Sequence, residues 1–310
     1  MRANLKTALF CVASTALLFT VFVVLAVYDD MQWTAAVSAG IVGACIGSFA
    51  NVVVCRLPRM MQQAWEQERL LGATIGAGAS CAESQPLALT SLPQRMLSLI
   101  WPASSCPHCG AVIRCWHNVP IIGFFVLQGR CSDCAAPISV RYLWVEVVFA
   151  MVYAAMGWAF GPSLDLLAYA TAFTILLVLA LIDWDSQLLP DCLTQPLLWI
   201  GLLCNAQGLR VSVQDAVIGA SLAYGVFWLI SRSYRYVSGS DGMGDGDLKL
   251  VAALCAWTGW QALPWIMCGA VLSALAARAC LVAAKRTQWS SPQPFGPHLA
   301  LAGCVAAVVL

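Results

Sequence analysis

Charged residues are scarce in this chain of 310 residues. Asp, Glu, Lys and Arg together make up 10% of the sequence, whereas hydrophobic residues make up 61%. Soluble domains carry about 25% charged residues, because their surface has to face water. The composition therefore excludes an ordinary soluble protein and predicts a polytopic membrane protein in contact with lipid.

The few charges also nearly cancel, to a formal net charge of +1. Domains that bind nucleic acid concentrate Lys and Arg on one face, often beside aromatic side chains. The polar stretch 56–141 carries several arginines, but they form no dense basic and aromatic patch. We therefore expect no nucleic-acid partner.

Long apolar runs divide the chain into candidate membrane spans, since about 20 apolar residues cross a bilayer as a helix. Nine runs qualify, at approximately 5–28, 33–55, 142–160, 166–182, 193–208, 214–231, 248–262, 264–283 and 298–310. The predicted fold class is all-α, a transmembrane helical bundle of about eight to nine spans. The first run exceeds the usual 7–15 residues of a signal-peptide core, so we expect it to be a retained helix.

Basic residues in the loops predict the orientation, because Lys and Arg accumulate on the cytoplasmic side. With the N terminus in the cytoplasm, Arg210 is the one loop cation that falls outside. The others fall inside: Arg56, Arg59, Arg69, Arg95, Arg114, Arg130, Arg141, Arg232, Arg235, Lys249, Lys285 and Arg286. We predict a multi-pass protein of this orientation.

Three domains follow from this arrangement. Residues 1–55 form two N-terminal transmembrane helices, residues 56–141 a cytoplasmic domain, and residues 142–310 the remaining transmembrane domain. Within 56–141, the polar segment 60–69 is expected to be helical. The glycine-rich segment 72–91 has no hydrophobic periodicity and is expected to be a flexible connection.

Four cysteines in the cytoplasmic domain have the spacing of a metal site. Cys106-x2-Cys109 and Cys131-x2-Cys134 are two knuckles separated by 21 residues. Thiolates at this spacing can supply four tetrahedral ligands to Zn²⁺, and a reducing cytoplasm disfavours disulfides. We predict a structural zinc site that has no open position for catalysis.

Other ligands near the four cysteines have to be weighed. His108, His117 and Cys115 lie in the same segment, but surface histidines in a knuckle are more common than histidine ligands. A thioredoxin-like redox pair is a further alternative for one Cys-x2-Cys, although the paired spacing and the lack of a βαβ pattern count against it.

Two aspartates stand where a long apolar run meets a polar turn. Asp183 closes the run 169–182 and Asp247 opens the run 248–260. Acids at the edge of the hydrocarbon layer are costly and usually functional. Two such acids from separate helices can share one proton and activate water, as in aspartic proteases. The alternative is that each is a solvated or capping residue at a helix end.

Six segments then resemble, in the same order, a known family: the bifunctional bacterial type IV prepilin peptidases and N-methyltransferases. The two knuckles, 105–110 and 129–134, count as one of these segments. The other five are 47–58, 138–146, 181–191, 242–250 and a late signature at 294–300. The resemblance covers roughly residues 41–303. The run 5–28 is additional to the usual arrangement, and Asp245 gives the second aspartate motif an extra acid.

The resemblance implies an aspartic protease of the Gly-x-Gly-Asp type at the cytoplasmic face of the bacterial inner membrane. It implies cleavage of the basic leader of prepilins or pseudopilins at a Gly–Phe bond. The motif alignment selects Asp183 and Asp247 as the catalytic pair. It leaves Asp185, Asp191 and Asp245 as supporting acids.

The resemblance also implies methylation of the new N-terminal amine by S-adenosylmethionine. No Gly-x-Gly-x-x-Gly loop follows a strand, so the usual nucleotide signature does not locate a donor site. Glu146 and Gly129 are the candidates for the donor neighbourhood. For Glu146, an ion pair with Arg141 or Arg56 is an equally good explanation, since intramembrane acids seek partners.

Two other functions remain open from the sequence. One is a peptidase that has lost the methylating activity. The other is a proton- or ion-coupled transporter that uses Asp183 and Asp247 as relay acids. A transporter would be expected to place its acids near the bilayer midplane and to contain an internal repeat, and no repeat of convincing period is evident.

Overall fold

The computed structural model describes residues 32–77, 98–239, 244–285, 288 and 293–309. The predicted first span, 5–28, lies outside these residues, as does the greater part of the predicted connection 72–91. In the described ranges the backbone forms α-helices and two short 3₁₀ helices, with isolated β-bridges but no strand.

The α-helices are α1 Gln32–Ala77, α2 Ile122–Val126, α3 Val140–Phe160, α4 Leu164–Ser186, α5 Asp191–Ala206, α6 Val213–Ser238, α7 Asp245–Thr258, α8 Leu263–Ala283 and α9 Gly296–Val309. The 3₁₀ helices are Cys115–Asn118 and Trp260–Ala262. Each predicted span from the second to the ninth overlaps one α-helix. The predicted all-helical class is therefore confirmed for the described residues.

Among the described residues, five helical segments are long and apolar enough to cross a membrane: Gln32–Leu71, Val140–Phe160, Leu164–Ser186, Val213–Ser238 and Trp260–Ala283. Helices α5, α7 and α9 are shorter, with 16, 14 and 14 residues. The described part of the chain thus supports an integral membrane protein with five candidate spans.

Helix α1 is longer than the sequence predicted. It runs without interruption for 46 residues, about 69 Å at 1.5 Å per residue, which is more than twice the hydrocarbon thickness. The predicted helix at 60–69 is confirmed as part of α1. Residues 72–77 also belong to α1, so the predicted flexible connection is wrong there. No proline follows Pro58 in this segment, and each added residue of a nucleated helix gains a hydrogen bond.

The chain forms two compact units, which divide between Ala154 and Ala155. In the first unit, α1 and α3 pack closely through glycines. A Cβ on Gly43 would meet the Phe149 carbonyl oxygen at 2.6 Å, and one on Gly47 would meet Glu146 Cα at 3.0 Å. Small residues four apart let two membrane helices approach in this way.

In the second unit, α7 lies at the centre. Its residues from 250 to 257 are all buried, and it packs against α5, α6 and α9. Trp257 Nε1 donates to the Leu197 carbonyl oxygen (2.8 Å), and Asn205 Nδ2 donates to the Ala256 carbonyl oxygen (2.9 Å). These bonds fix α7 against α5, and with it the position of the first turn that carries Asp247.

Candidate active site and metal centre

Asp183 lies in the last turn of α4 and is buried, with a relative exposure of 5%. The helix ends there because Gln187 adopts a left-handed backbone, and its N–H donates to the Asp183 carbonyl oxygen (2.9 Å). A carboxylate in such a position needs hydrogen-bond donors to offset the loss of water. One donor comes from another helix.

That donor is the backbone N–H of Gly296, which lies 2.8 Å from Asp183 Oδ2. Gly296 is the first residue of α9. The N–H groups of a first helical turn have no partner within the helix, and its positive dipole end favours an anion. A Cβ at position 296 would lie 2.8 Å from Asp183 Oδ2, so the contact depends on glycine.

Asp247 lies in the first turn of α7, directly before the buried part of that helix. Its Oδ1 atom is buried and has no hydrogen-bond partner among the described residues. Burial, and then the negative charge of Asp183, raise the pKa of Asp247 to about 7. The charge of Asp183 thus acts on Asp247, although the two acids are 64 positions apart in the sequence.

The glycines before Asp247 let the start of α7 approach α4 because they have no side chain, and not because they adopt an unusual backbone angle. Gly244, which precedes α7, has φ −68°. A Cβ on Gly246 would lie 2.7 Å from Leu189 Cβ, in the loop that follows Asp183. The missing side chain at 246 thus lets the start of α7 contact that loop.

The supporting acids have different surroundings. Asp245 and Asp185 are exposed. Asp191, the first residue of α5, receives Lys249 Nζ at 2.7 Å on both carboxylate oxygens. This half-exposed ion pair joins α5 to α7, and such pairs contribute about 0–1 kcal/mol. Its main effect is to fix two neighbouring helix starts.

The pair Asp183 and Asp247 has the properties that acid–base chemistry requires. Both carboxyl groups are at least partly removed from water, and they differ in their hydrogen-bond partners. Two interacting carboxyls in unequal environments hold one proton between them, so that one acts as acid and the other as base.

The four predicted metal ligands are also brought together. The Sγ atoms of Cys106, Cys109, Cys131 and Cys134 all lie within 4.8 Å of one another, and those of Cys106 and Cys134 are 3.8 Å apart. A tetrahedral zinc with Zn–S distances near 2.3 Å separates its sulfurs by about 3.8 Å. The donor set and its spacing therefore fit zinc. His108, His117 and Cys115 are not members of the cluster.

The two knuckles repeat one backbone pattern at an offset of 25 residues. Cys106 N–H donates to the Ala111 carbonyl oxygen and Cys131 N–H to that of Ala136, both at 2.9 Å. A β-bridge follows each, Ser105 with Val112 and Arg130 with Pro137. The tight turn uses positive φ in both cases, at Gly110 and at Ala135.

Glu146 and Gly129, the candidates for the methyl-donor neighbourhood, both contact the segment around α2. Glu146 Oε2 accepts the backbone N–H of Ile121 at 2.7 Å. A Cβ on Gly129 would meet the Phe124 ring at 3.0 Å. Arg56 donates to the carbonyl oxygens of Ser98 (3.0 Å) and Leu99 (3.4 Å).

Sequence reasoning missed three parts of these sites. The Gly296 N–H was in a matched segment, 294–300, but a backbone donor has no signal of its own. Lys249 and Asp191 lie within the two aspartate motifs, but the sequence did not predict their ion pair. Ile121, with φ 62°, is a branched residue in a conformation that such residues rarely adopt, and no sequence signal points to it.

Comparison with protein families gives two matches. The bacterial peptidase A24 N-terminal domain matches residues 41–160. The type IV leader peptidase family matches residues 170–282. Together they cover most of both compact units.

Curated relatives match over most of their length. A protein of Pseudomonas putida is 40% identical over 271 residues, which is 87% of this chain and 89% of the relative. One of Burkholderia pseudomallei strain 1026b is 42% identical over 263 residues, 85% of this chain and 82% of the relative. One of Pseudomonas aeruginosa is 40% identical over 271 residues, which is 86% of this chain and 87% of the relative. Each is named prepilin leader peptidase/N-methyltransferase. No solved structure matches this chain significantly.

Proposed function

Because this chain belongs to the type IV leader peptidase family, we propose that it cleaves the leader peptide from prepilins and methylates the new N terminus. The observation that carries the peptidase assignment is the placement of two acids at contacting helix ends, Asp183 in the last turn of α4 and Asp247 in the first turn of α7. The family matches favour this enzyme over a proton-coupled transporter, which would use the same acids as relays.

In the proposed reaction Asp183 is the base. The Gly296 N–H stabilises its ionised form, so it takes a proton from water as the water oxygen attacks the scissile carbonyl. Asp247 holds the shared proton and donates it to the carbonyl oxygen, for which its Oδ1 is available because no described residue is hydrogen-bonded to it. The proton on Asp183 then passes to the departing amine as the C–N bond breaks, and one hydroxyl of the tetrahedral intermediate returns its proton to Asp247 as the carbonyl re-forms, which restores the starting protonation of the pair.

The substrate in this proposal is a prepilin or pseudopilin with a basic leader, cut between Gly and Phe. Placement of the site at the cytoplasmic face of the bacterial inner membrane rests on the loop cations. The short helices α5, α7 and α9 complete the transmembrane bundle in this topology.

We also propose that Cys106, Cys109, Cys131 and Cys134 hold one structural zinc ion. The ion would join the two knuckles, because each knuckle supplies only two thiolates. With four protein ligands it would leave no position for a substrate. Its role would be to maintain the fold of the cytoplasmic domain.

S-adenosylmethionine supplies the methyl group in the second reaction. Glu146 and Gly129 are proposed to lie near its site, supported by their contacts to the two ends of one short segment, Ile121 and Phe124. The acceptor must be a neutral amine, and an α-amino group with a pKa near 8 reaches that form without a strong base.

One experiment tests both activities. Membranes containing the protein are incubated with a prepilin and radiolabelled S-adenosylmethionine, and the product's N terminus is sequenced. We expect cleavage after the leader glycine and a labelled methyl group on the new first residue. Cleavage without label would leave a peptidase only, and an intact prepilin would contradict the proposed function.

A further inference from the structure

The outer face of α2 is apolar and exposed. Ile122, Phe125 and Val126 have relative exposures of 61%, 65% and 67% in the described structure. They occupy positions i, i+3 and i+4, which share one side of a helix. Gly123 is buried and Phe124 packs against Gly129, so the helix has an inner and an outer face.

The neighbouring 3₁₀ helix, Cys115–Asn118, packs against α2 and adds an aromatic side chain. Trp116 on this helix is 64% exposed. Tryptophan is enriched where a protein meets the interfacial layer of a membrane. Contiguous exposed apolar side chains mark surfaces that bind another protein, an apolar ligand or a membrane.

The position of α2 along α3 indicates what binds to this apolar surface. The N–H of Ile121, directly before α2, donates to Glu146 Oε2 at 2.7 Å. Glu146 is six residues inside the candidate span Val140–Phe160, about 9 Å from its start at 1.5 Å per residue. The start of α2 therefore lies beside the second turn of a membrane helix.

The Ile121–Glu146 hydrogen bond is one tether between the lobe of residues 98–138 and a membrane helix. A second tether holds the N-terminal end of this lobe to α1. Arg56 Nη1 donates to the carbonyl oxygens of Ser98 and Leu99. Arg56 directly follows the apolar part of α1, at the edge of the predicted span 33–55. Both tethers hold the lobe against helices that are long and apolar enough to cross a membrane.

A cation of the lobe lies beside its exposed tryptophan. Within 98–138 the charged residues are Arg114, Arg130 and Asp133. The Arg114 guanidinium lies 5.8 Å from the ring centre of Trp116. A guanidinium beside an interfacial tryptophan can contact lipid phosphate while the ring contacts the acyl boundary.

We propose that Ile122, Phe125, Val126 and Trp116 form an interfacial membrane-binding surface of the zinc-site lobe. Its ligand is the bilayer itself, with anionic lipid headgroups at Arg114. The lobe is then a membrane-seated domain rather than a domain suspended in the cytoplasm. Amphipathic helices bind at the headgroup and acyl boundary in this manner.

The test uses p-benzoylphenylalanine in place of Phe125 in the full chain, reconstituted in phosphatidylglycerol nanodiscs. After illumination, intact mass spectrometry identifies what has been captured. We expect a phospholipid adduct. The matched control places the same photo-reactive residue at Glu66, an exposed position on the polar extension of α1, where we expect no lipid adduct.

Other captures at position 125 overturn the proposal. A cross-linked dimer would assign the surface to a second copy of the chain. An internal cross-link to residues 1–31 or 78–97 would mean that the chain covers its own patch. Zinc content measured on the same sample shows whether the lobe has kept its fold, and absence of any lipid adduct from a zinc-loaded sample also overturns the proposal.

A second variant tests the charge component without touching α2. Arg114→Gln, with the photo-reactive residue at 125, should lower the lipid adduct several-fold in phosphatidylglycerol and leave it unchanged in phosphatidylcholine. An equal yield with and without Arg114 in both lipids would remove the headgroup part of the proposal.

Discussion

At the scale of single residues, Asp183 and Asp247 differ in what contacts their oxygen atoms. The Gly296 N–H donates to Asp183, whereas Asp247 Oδ1 is buried without a partner among the described residues. An N–H donor favours the ionised form and burial favours the protonated form. The local contacts therefore give two chemically identical side chains different environments.

We expect Asp183→Asn and Asp247→Asn each to abolish prepilin cleavage, because either change removes the shared proton. Residues that act as one unit are strongly non-additive, so the double variant should be no worse than either single one. Processing is measured by the mobility of the pilin on gels, with membrane protein amounts matched. Asp185→Asn and Asp245→Asn are the controls and should retain substantial activity. A dead Asp245→Asn would transfer the catalytic role to Asp245.

Gly296→Ala tests the positioning of Asp183. Its Cβ would lie 2.8 Å from Asp183 Oδ2, so the carboxylate or the start of α9 has to move. Overpacking of this kind costs about 1–3 kcal/mol, and we expect cleavage to fall about 10- to 100-fold. Gly225→Ala in α6 is the matched control, because nothing lies within 4 Å of the added Cβ. Equal activity of the two variants would show that the Gly296 contact is dispensable.

At the scale of helices and loops, the segment between the two knuckles depends on both of its ends. It contains the 3₁₀ helix Cys115–Asn118, α2 and the strained turn at Ile121. A metal that joins Cys109 to Cys131 would close this segment into a loop. Metal binding and folding are coupled in sites of this kind.

We therefore expect purified protein to hold one zinc ion per chain and Cys131→Ser to lose it. The 98–138 lobe should then become more sensitive to protease, because its loop is no longer closed. Metal content and limited proteolysis measure the two effects. Cys115→Ser is the control, since Cys115 lies outside the four-sulfur cluster. A zinc-free wild-type protein that is active in both reactions would contradict a structural role.

The helices and knuckles also show which features could be predicted from the sequence and which could not. Apolar run length located α3 to α9, and acids at the ends of two runs located Asp183 and Asp247. Knuckle spacing located the four cysteines. The identical hydrogen bonding of the two knuckles was missed because their sequences diverge, with Gly110 opposite Ala135 and Val112 opposite Pro137. For Glu146 the sequence left open a role near the methyl donor or an ion pair with Arg141 or Arg56, and the backbone N–H of Ile121, which it accepts, has no sequence signature.

At the scale of the whole molecule, the two compact units carry the two candidate sites. The pair Asp183 and Asp247 belongs to the unit from Ala155 onward, and the knuckles and Glu146 belong to the unit that ends at Ala154. The family matches divide at a similar point, with one ending at 160 and the next beginning at 170. This division suggests that the two reactions can be separated by mutation.

We expect Asp247→Asn to methylate a supplied, already cleaved pilin while failing to process prepilin. Proteolysis needs the aspartate pair, whereas methyl transfer needs only a positioned neutral amine and a donor. Incorporation of labelled methyl groups measures the retained activity. Conversely, the donor-competitive inhibitor sinefungin should block methylation and leave cleavage intact. Loss of both activities on pre-cleaved substrate in a folded Asp247→Asn protein would rule out separate sites.

Topology is the remaining prediction at this scale. Reporters inserted near residues 90 and 240 should report a cytoplasmic location, and those near 162 and 210 the opposite side, because the loop cations favour this orientation. Accessible-cysteine labelling or fusion reporters give the measurement. A reporter near 90 that is active only outside would invert the orientation and the location of the catalytic pair.

The central position of α7 has a consequence for how the enzyme responds to its membrane. Its 14 residues span about 21 Å, less than the roughly 30 Å of hydrocarbon, and the middle of the helix contacts protein rather than lipid. Hydrophobic mismatch therefore acts on longer lipid-facing helices such as α6 and not directly on α7. Bilayers of different thickness should tilt those outer helices, while the Asp247 carboxyl on α7 keeps its position relative to α4 and α9.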